Sequence, residues 1–182
     1  KGVSCGGDNM KEYLLLLPII FIFHDMEEII GFGWFLRKNT WVYERYPRIT
    51  EGYQGFTTEV FALGVYEEFI PFFGVSLLAY YFPNRILTAL WFGLMLALTA
   101  HFVGHIALCA CIKMFIPSVI TSVICLPIGI IILTKTADFL SFDYVTILSV
   151  LIGIIVMILN LTFVHWFMQK LNQLQFPKNA KQ

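Results

Sequence analysis

Histidine and carboxylate residues recur inside stretches of the sequence that are otherwise apolar enough to cross a membrane. Three stretches hold eight such residues: His24, Asp25, Glu27, Glu28, Glu67, Glu68, His101 and His105. A charged side chain at the centre of a bilayer costs at least about 2.5–3.5 kcal/mol, so residues of this kind are usually functional. No lysine or arginine lies at the same depth to neutralise the carboxylates. A divalent cation would neutralise them, and the sequence therefore predicts a metal site within the membrane.

The spacing of these residues predicts that several of them share a helix face. Residues three and four positions apart are neighbours on an α-helix. His24 and Glu28 therefore form one pair, and His101 and His105 form another. Two imidazoles at this spacing are a common way to bind zinc. Glu27 lies beside the first pair, where a carboxylate can act as a general base.

The depth of these residues predicts a single site. His24 is twelve residues into the first apolar stretch, Glu67 eleven into the second and His101 fifteen into the third. At a rise of 1.5 Å per residue, all three lie near the middle of a bilayer. Polar residues that served only their own helices would not be expected to share a depth.

Other polar residues have separate expected roles. Glu67 and Glu68 are adjacent in the second stretch, and we expect a base from Glu67 and a metal ligand from Glu68. Asp25 points about 100° away from the ligand face of its helix. Asn160 is deep in the last apolar stretch. We expect both as hydrogen-bond partners of the ligands, whereas the position of His165 beside a tryptophan indicates an interfacial residue.

The apolar stretches indicate an all-α protein, a polytopic integral membrane helical bundle with about five transmembrane helices. The chain is 58% hydrophobic and 13% charged, whereas soluble domains are near a quarter charged. A helix needs about 20 apolar residues to cross a bilayer, and five stretches approach or exceed that length: 12–36, 56–82, 86–115, 117–134 and 144–168. The net charge is zero, which gives no reason to expect a nucleic-acid partner.

A five-span membrane domain over residues 10–171 is predicted, with a short segment on each side. Residues 172–182 form a polar C-terminal tail. Residues 1–9 lack the apolar core of a signal peptide. Because Met10 followed by Lys11 has the form of a natural start, residues 1–9 are either a native extension or an added one.

The distribution of basic residues predicts an orientation in the cell membrane. Eight lysines and arginines fall on the side of the 37–55 loop and four on the other side. Cytoplasmic loops carry the excess of lysine and arginine. An external N-terminus and a cytoplasmic C-terminus are therefore favoured.

The pentapeptide HDMEE at residues 24–28 resembles the HxxEE-motif membrane proteins, a family of small polytopic proteins defined by this pattern. The resemblance covers most of the chain, from Met10 to about Leu171. It implies a metal-dependent membrane enzyme and supplies no established reaction.

A weaker similarity is to the glutamate-dependent intramembrane proteases of the CAAX-processing type, and it rests on Glu67-Glu68, His105 and Asn160. Those proteases have an arginine after the Glu-Glu pair where this chain has Phe72. They also have a phenylalanine four positions before a histidine, where this chain has Ala97.

Three functions are consistent with these residues. The first is hydrolysis of a lipid, acyl or peptide bond, with one or two divalent ions, zinc before iron, and with Glu27 or Glu67 as base. The metal ligands would be drawn from His24, Glu28, Glu68, His101 and His105.

The second is a di-iron oxidoreductase acting on a lipid or quinone, although the usual Glu-x-x-His spacing is missing. The third is a metal or proton transporter. Five spans leave little protein for two gated halves, an objection that a homodimer would remove. The hydrolase is favoured, with a lipid-like or membrane-embedded substrate.

Overall fold

Helices make up the regular structure of the protein. The computed structural model describes residues 5–50, 53, 55–141 and 143–175, and these contain no strand. Residues 1–4 of the predicted N-terminal segment and residues 176–182 of the predicted tail lie outside the described residues. The helices are α1 (Cys5–Leu14), α2 (Leu16–Lys38), α3 (Trp41–Arg45), α4 (Pro47–Thr50), α5 (Thr58–Tyr81), α6 (Arg85–Ile112), α7 (Val119–Ala137) and α8 (Tyr144–Gln175).

The long helices coincide with the apolar stretches of the sequence. Among the described residues, four helices are long and apolar enough to cross a membrane: α5, α6, α7 and α8. Helix α2 has 23 residues, which is a sufficient length, but Asp25, Glu27 and Glu28 make it less apolar than the others. The helical bundle confirms the predicted fold class and indicates a membrane protein.

The first predicted span is divided into two helices at Leu15 because of a proline. Pro18 lies in the first turn of α2, where a missing N–H is tolerated. In a continuous helix, however, that N–H would bond to the carbonyl of Leu14. The indole N–H of Trp91 on α6 donates to this carbonyl instead, at 2.9 Å. Leu14 and Trp91 are almost fully buried, so this bond fastens the junction of α1 and α2 to the central helix.

Side-chain caps define the starts of three long helices. Thr57 caps α5, Asn84 caps α6 and Asp143 caps α8, each through an oxygen that accepts the backbone N–H three residues further on. Such caps satisfy N–H groups that have no partner within the helix.

Helices α6 and α8 pack closely because glycines face the partner backbone. A Cβ atom at Gly93 of α6 would overlap the carbonyl oxygen of Val150, and one at Gly153 of α8 would overlap that of Leu90. Small residues of this kind let helices approach closely in membranes, where packing drives helix association.

The turn between α6 and α7 carries the start of α7 to the side of α2. Lys113 follows the last residue of α6, and Ser118 precedes α7; both have positive φ, at 56° and 100°. Pro117 rests on Gly31 of α2, where an added Cβ would lie 2.6 Å from the Cβ of Pro117. The first residues of α7 are therefore held against the middle of α2.

Candidate metal centre

Four side chains from two helices converge inside the bundle. His24 and Glu28 come from α2, and His101 and His105 come from α6. One ligand atom from each lies within 4.8 Å of all the others. Atoms bound to a single zinc ion at about 2.0–2.2 Å lie within about 4 Å of one another. Small side-chain rotations would therefore bring this group to the separations that one ion requires.

The contacts within this four-residue cluster leave polar atoms without partners. The Nε2 atom of His105 lies 2.7 Å from Nε2 of His101 and 3.1 Å from Oε1 of Glu28. Nε2 of His24 lies 3.9 Å from the same carboxylate oxygen. Nε2 of His24 is buried and has no hydrogen-bond partner, and the buried Oε1 of Glu28 has an ion-pair contact with His105 but no hydrogen bond of good geometry. A buried unpaired polar group costs about 1–3 kcal/mol, and a shared cation would satisfy both atoms.

A threonine fixes the orientation of His24. Nδ1 of His24 lies 3.0 Å from the hydroxyl oxygen of Thr121, which lies 2.6 Å from Oε2 of Glu27. A hydroxyl has one hydrogen, so when it donates to the carboxylate it accepts from the imidazole N–H. His24 then carries its proton on Nδ1, and the lone pair on Nε2 faces the cluster. Metal-binding histidines are usually held in this manner.

Glu27 contacts the start of α7 and is not one of the four clustered residues. Its carboxylate accepts the backbone N–H of Thr121 at 2.7 Å and that of Ile120 at 3.4 Å. A negative charge at the N-terminus of a helix is favourable because the helix dipole is positive there. Glu27 thus acts on the cluster indirectly, through Thr121 and His24.

A serine holds a second histidine of the cluster. Nδ1 of His105 lies 2.8 Å from the hydroxyl oxygen of Ser118. The positive φ of Ser118 is uncommon for serine and costs about 1–3 kcal/mol. Sequence reasoning did not identify Ser118 or Thr121 as functional. The only signal was two hydroxyl residues at a helix start, and such residues are common as simple caps.

Glu67 and Asn160 contact each other. The side-chain amide of Asn160 on α8 donates to both carboxylate oxygens of Glu67 on α5, at 3.0 and 3.1 Å. Asn160 was expected to form a hydrogen bond with a metal ligand. It bonds instead to Glu67, the residue expected to act as base.

Asp25 and Glu68 face an internal cavity of about 150 Å³ next to the cluster. Apolar side chains from α2, α5, α6 and α8 form much of its wall. Its polar lining residues are Asp25, Glu28, Tyr53, Glu68, His101, His105 and His165. His165, expected at the interface, therefore lies at this cavity.

Tyr53 brings a phenol to the cavity from the segment between α4 and α5. Burial, and then the carboxylates of Glu28, Glu68 and Asp25, raise the pKa of Tyr53 well above its usual value. The phenol therefore keeps its proton and can donate a hydrogen bond to one of these carboxylates.

Comparison with known proteins identifies the family. The family described as proteins of unknown function with an HXXEE motif matches residues 15–132. The matched region contains the four clustered residues and the Glu27–Thr121 contact. No curated protein and no solved structure matches the chain. Because the match covers more than half of the chain, the protein belongs to the family of HXXEE-motif proteins of unknown function.

Proposed function

We propose that the protein is an integral-membrane metalloenzyme that hydrolyses a lipid, acyl or peptide bond. The observation that carries this proposal is the convergence of three imidazoles and one carboxylate at a point where two buried ligand atoms have no hydrogen-bond partner. Histidine and carboxylate ligands favour zinc, and iron is the alternative ion. His24, Glu28, His101 and His105 would hold the metal.

The residues of the chain can perform the remaining parts of a hydrolysis. A bound divalent ion supplies Lewis-acid chemistry and activates water near neutral pH. Thr121 and Ser118 orient the histidines, and the apolar wall of the cavity limits the entry of bulk water. Glu27 and Glu67 already accept hydrogen bonds outside the four-residue cluster. We therefore assign the proton acceptor to the carboxylates of the cavity, Asp25 and Glu68.

The proposal extends to the class of substrate and to the orientation in the membrane. The largely apolar cavity among membrane-spanning helices favours a lipid-like or membrane-embedded substrate. Because eight of the twelve lysines and arginines fall on the side of the 37–55 loop, we place the N-terminus outside the cell and the C-terminus in the cytoplasm.

Metal content is the first test of this proposal. Protein purified in detergent should contain one to two equivalents of zinc, and His24→Ala and His101→Ala should each lose the ion held by the four-residue cluster. Elemental mass spectrometry measures the ion, and size-exclusion chromatography verifies that each variant is folded. Glu59→Gln is the control, because Glu59 is exposed in the first turn of α5. Full metal content in both histidine variants would contradict the proposal.

Thr121→Val should weaken metal binding by about 10–100-fold, the usual cost of losing a residue that orients a ligand. Valine has nearly the same shape but cannot accept the Nδ1–H of His24. The affinity is measured by competition between the protein and a chromophoric zinc chelator.

Two further variants separate an orienting role of Thr121 from a packing role. Thr121→Ser keeps the hydroxyl and should recover most of the affinity. Thr134→Val alters an exposed threonine of the same helix, which bonds only to the Ile131 carbonyl, and should leave the affinity unchanged. If Thr121→Val binds zinc as tightly as wild type, the hydroxyl does not orient His24.

A di-iron oxidoreductase acting on a lipid or quinone is a second candidate, favoured by one observation. Three carboxylates, Asp25, Glu28 and Glu68, line one cavity together with histidines. Carboxylate and histidine ligands on facing helices are the ligand set of di-iron bundles. Two equivalents of iron in the purified protein would select this function. A folded protein without stoichiometric metal would instead favour a proton transporter.

A further inference from the structure

We propose that the protein has a second divalent-cation site beside the first, formed by Asp25, Glu68 and His165, with Glu28 bridging the two ions. The inference rests on the proposed function because Glu28 belongs to both sites. It gives a role to three side chains outside the four-residue cluster.

The cavity supplies the space and the ligands. Asp25 and Glu28 reach it from α2, Glu68 from α5 and His165 from α8. Its volume of about 150 Å³ far exceeds the roughly 10–15 Å³ that one water molecule needs. An ion and the waters that complete its coordination would therefore fit.

Asp25 has a buried side-chain oxygen without a hydrogen-bond partner. Its side chain is 4% exposed, and Oδ2 has no hydrogen-bond partner. Glu28 and Glu68 line the same cavity. A cation satisfies the oxygen and removes the repulsion between the carboxylates.

A hydrogen bond within α8 holds His165 in the tautomer that a metal ligand requires. Its Nδ1 lies 2.7 Å from the carbonyl oxygen of Leu161. A carbonyl only accepts hydrogen bonds, so Nδ1 carries the proton and Nε2 keeps its lone pair. A backbone carbonyl is a usual partner for the second nitrogen of a metal-binding histidine.

Glu28 can serve both sites because a carboxylate has two oxygens. Its Oε1 atom faces the histidines of the first site. In two-metal hydrolytic sites the ions lie about 3.5–4 Å apart, a distance that one bridging carboxylate spans. Asp25 or Glu68, when bound through one oxygen, keeps the other to accept a proton. The second ion is therefore compatible with the acid–base role assigned above.

Zinc stoichiometry tests this inference. Metal-free protein in detergent is dialysed against zinc chloride at fixed free concentration, and bound zinc is measured by elemental analysis. Wild type should bind two equivalents. Asp25→Asn, Glu68→Gln and His165→Gln should each bind one, because the first site keeps its four ligands. Glu59→Gln should bind two, like wild type.

The outcomes separate this inference from the proposed function. One equivalent in wild type, unchanged in the Asp25 and Glu68 variants, would overturn the second site and leave the first. Two equivalents in wild type and in all three variants would also overturn it, because the ion would lie elsewhere. No bound zinc in folded wild type would overturn the proposed function itself. Three variants on three different helices protect the test against the misfolding of any one of them.

Discussion

Glu28→Gln should abolish stoichiometric metal binding and any hydrolytic activity while the protein still folds. Glu28 is the carboxylate of the four-residue cluster, and its Oε1 is buried without a hydrogen-bond partner. Glutamine has almost the same shape, so the packing of α2 is kept, but a neutral amide oxygen is a much weaker ligand than a carboxylate. We expect a larger loss of affinity than the roughly 10–100-fold that follows removal of a residue that only orients a ligand.

The measurement pairs metal analysis with a test of folding. Elemental mass spectrometry should find less than about a tenth of the wild-type metal content. The size-exclusion profile in detergent should be unchanged. Glu59→Gln makes the same chemical change at an exposed position and should keep all of the metal. If Glu28→Gln retains a full equivalent, Glu28 does not bind the ion.

Gly93→Ala should destabilise the helix bundle by several kcal/mol, in contrast to the usual effect of this substitution. In an ordinary helix, alanine is about 1 kcal/mol more favourable than glycine. The added Cβ at position 93 would overlap the backbone of α8 at Val150. Because the obstruction is backbone, no side-chain rotation relieves it. We expect the free energy of unfolding to fall by at least about 1–3 kcal/mol, the range typical of overpacked cores, because α6 and α8 must move apart.

Gly104→Ala provides the matched comparison. It makes the same change on the same helix, at a position where a Cβ would have no neighbour within 4 Å. Thermal unfolding in detergent should give a clearly lower midpoint for Gly93→Ala and an equal or higher one for Gly104→Ala. Equal midpoints for the two variants would show that α6 and α8 do not depend on close backbone approach.

Much of the fold was predictable because a bilayer demands apolar segments of a fixed length. The helices do not have the same bounds as the apolar stretches, because that demand does not apply at helix ends. The last apolar stretch was expected to end at residue 168, yet α8 continues to Gln175, since backbone hydrogen bonding does not stop where polar residues begin. The first stretch was expected as one helix from residue 12, but Pro18 separates α1 from α2.

The candidate site was predictable in part for a similar reason. Spacing of three and four residues and a shared depth both follow from helix geometry, and they selected the four residues that lie together. It is harder to predict which of two adjacent glutamates faces the site, because neighbouring residues differ by about 100° around the helix axis. Which member of a pair faces the cavity depends on the rotation of the helix in the bundle. Spacing paired Glu28 with His24, but the sequence could not indicate that Glu27 contacts α7 or that Glu67 contacts Asn160.

The residues that orient the histidines could not be predicted from local sequence patterns. Thr121 is 97 positions in sequence from His24 on α2, and Ser118 meets His105 of α6 across the turn that joins α6 to α7. Their positions depend on the turn between α6 and α7 and on the contact of Pro117 with Gly31. Contacts of this kind follow from tertiary packing, and no periodic pattern of residues predicts them.

The polar character of α2 has a consequence for how the protein is made. During synthesis α2 leaves the ribosome before α6 and α7 exist, so His24 and its neighbouring carboxylates meet the bilayer without partners. Each charged residue held at the centre of a span adds about 2.5–3.5 kcal/mol to the cost of insertion. Stable insertion of α2 is therefore expected to wait for the later helices. Assembly of the bundle and completion of the polar centre would then be a single late event in biogenesis.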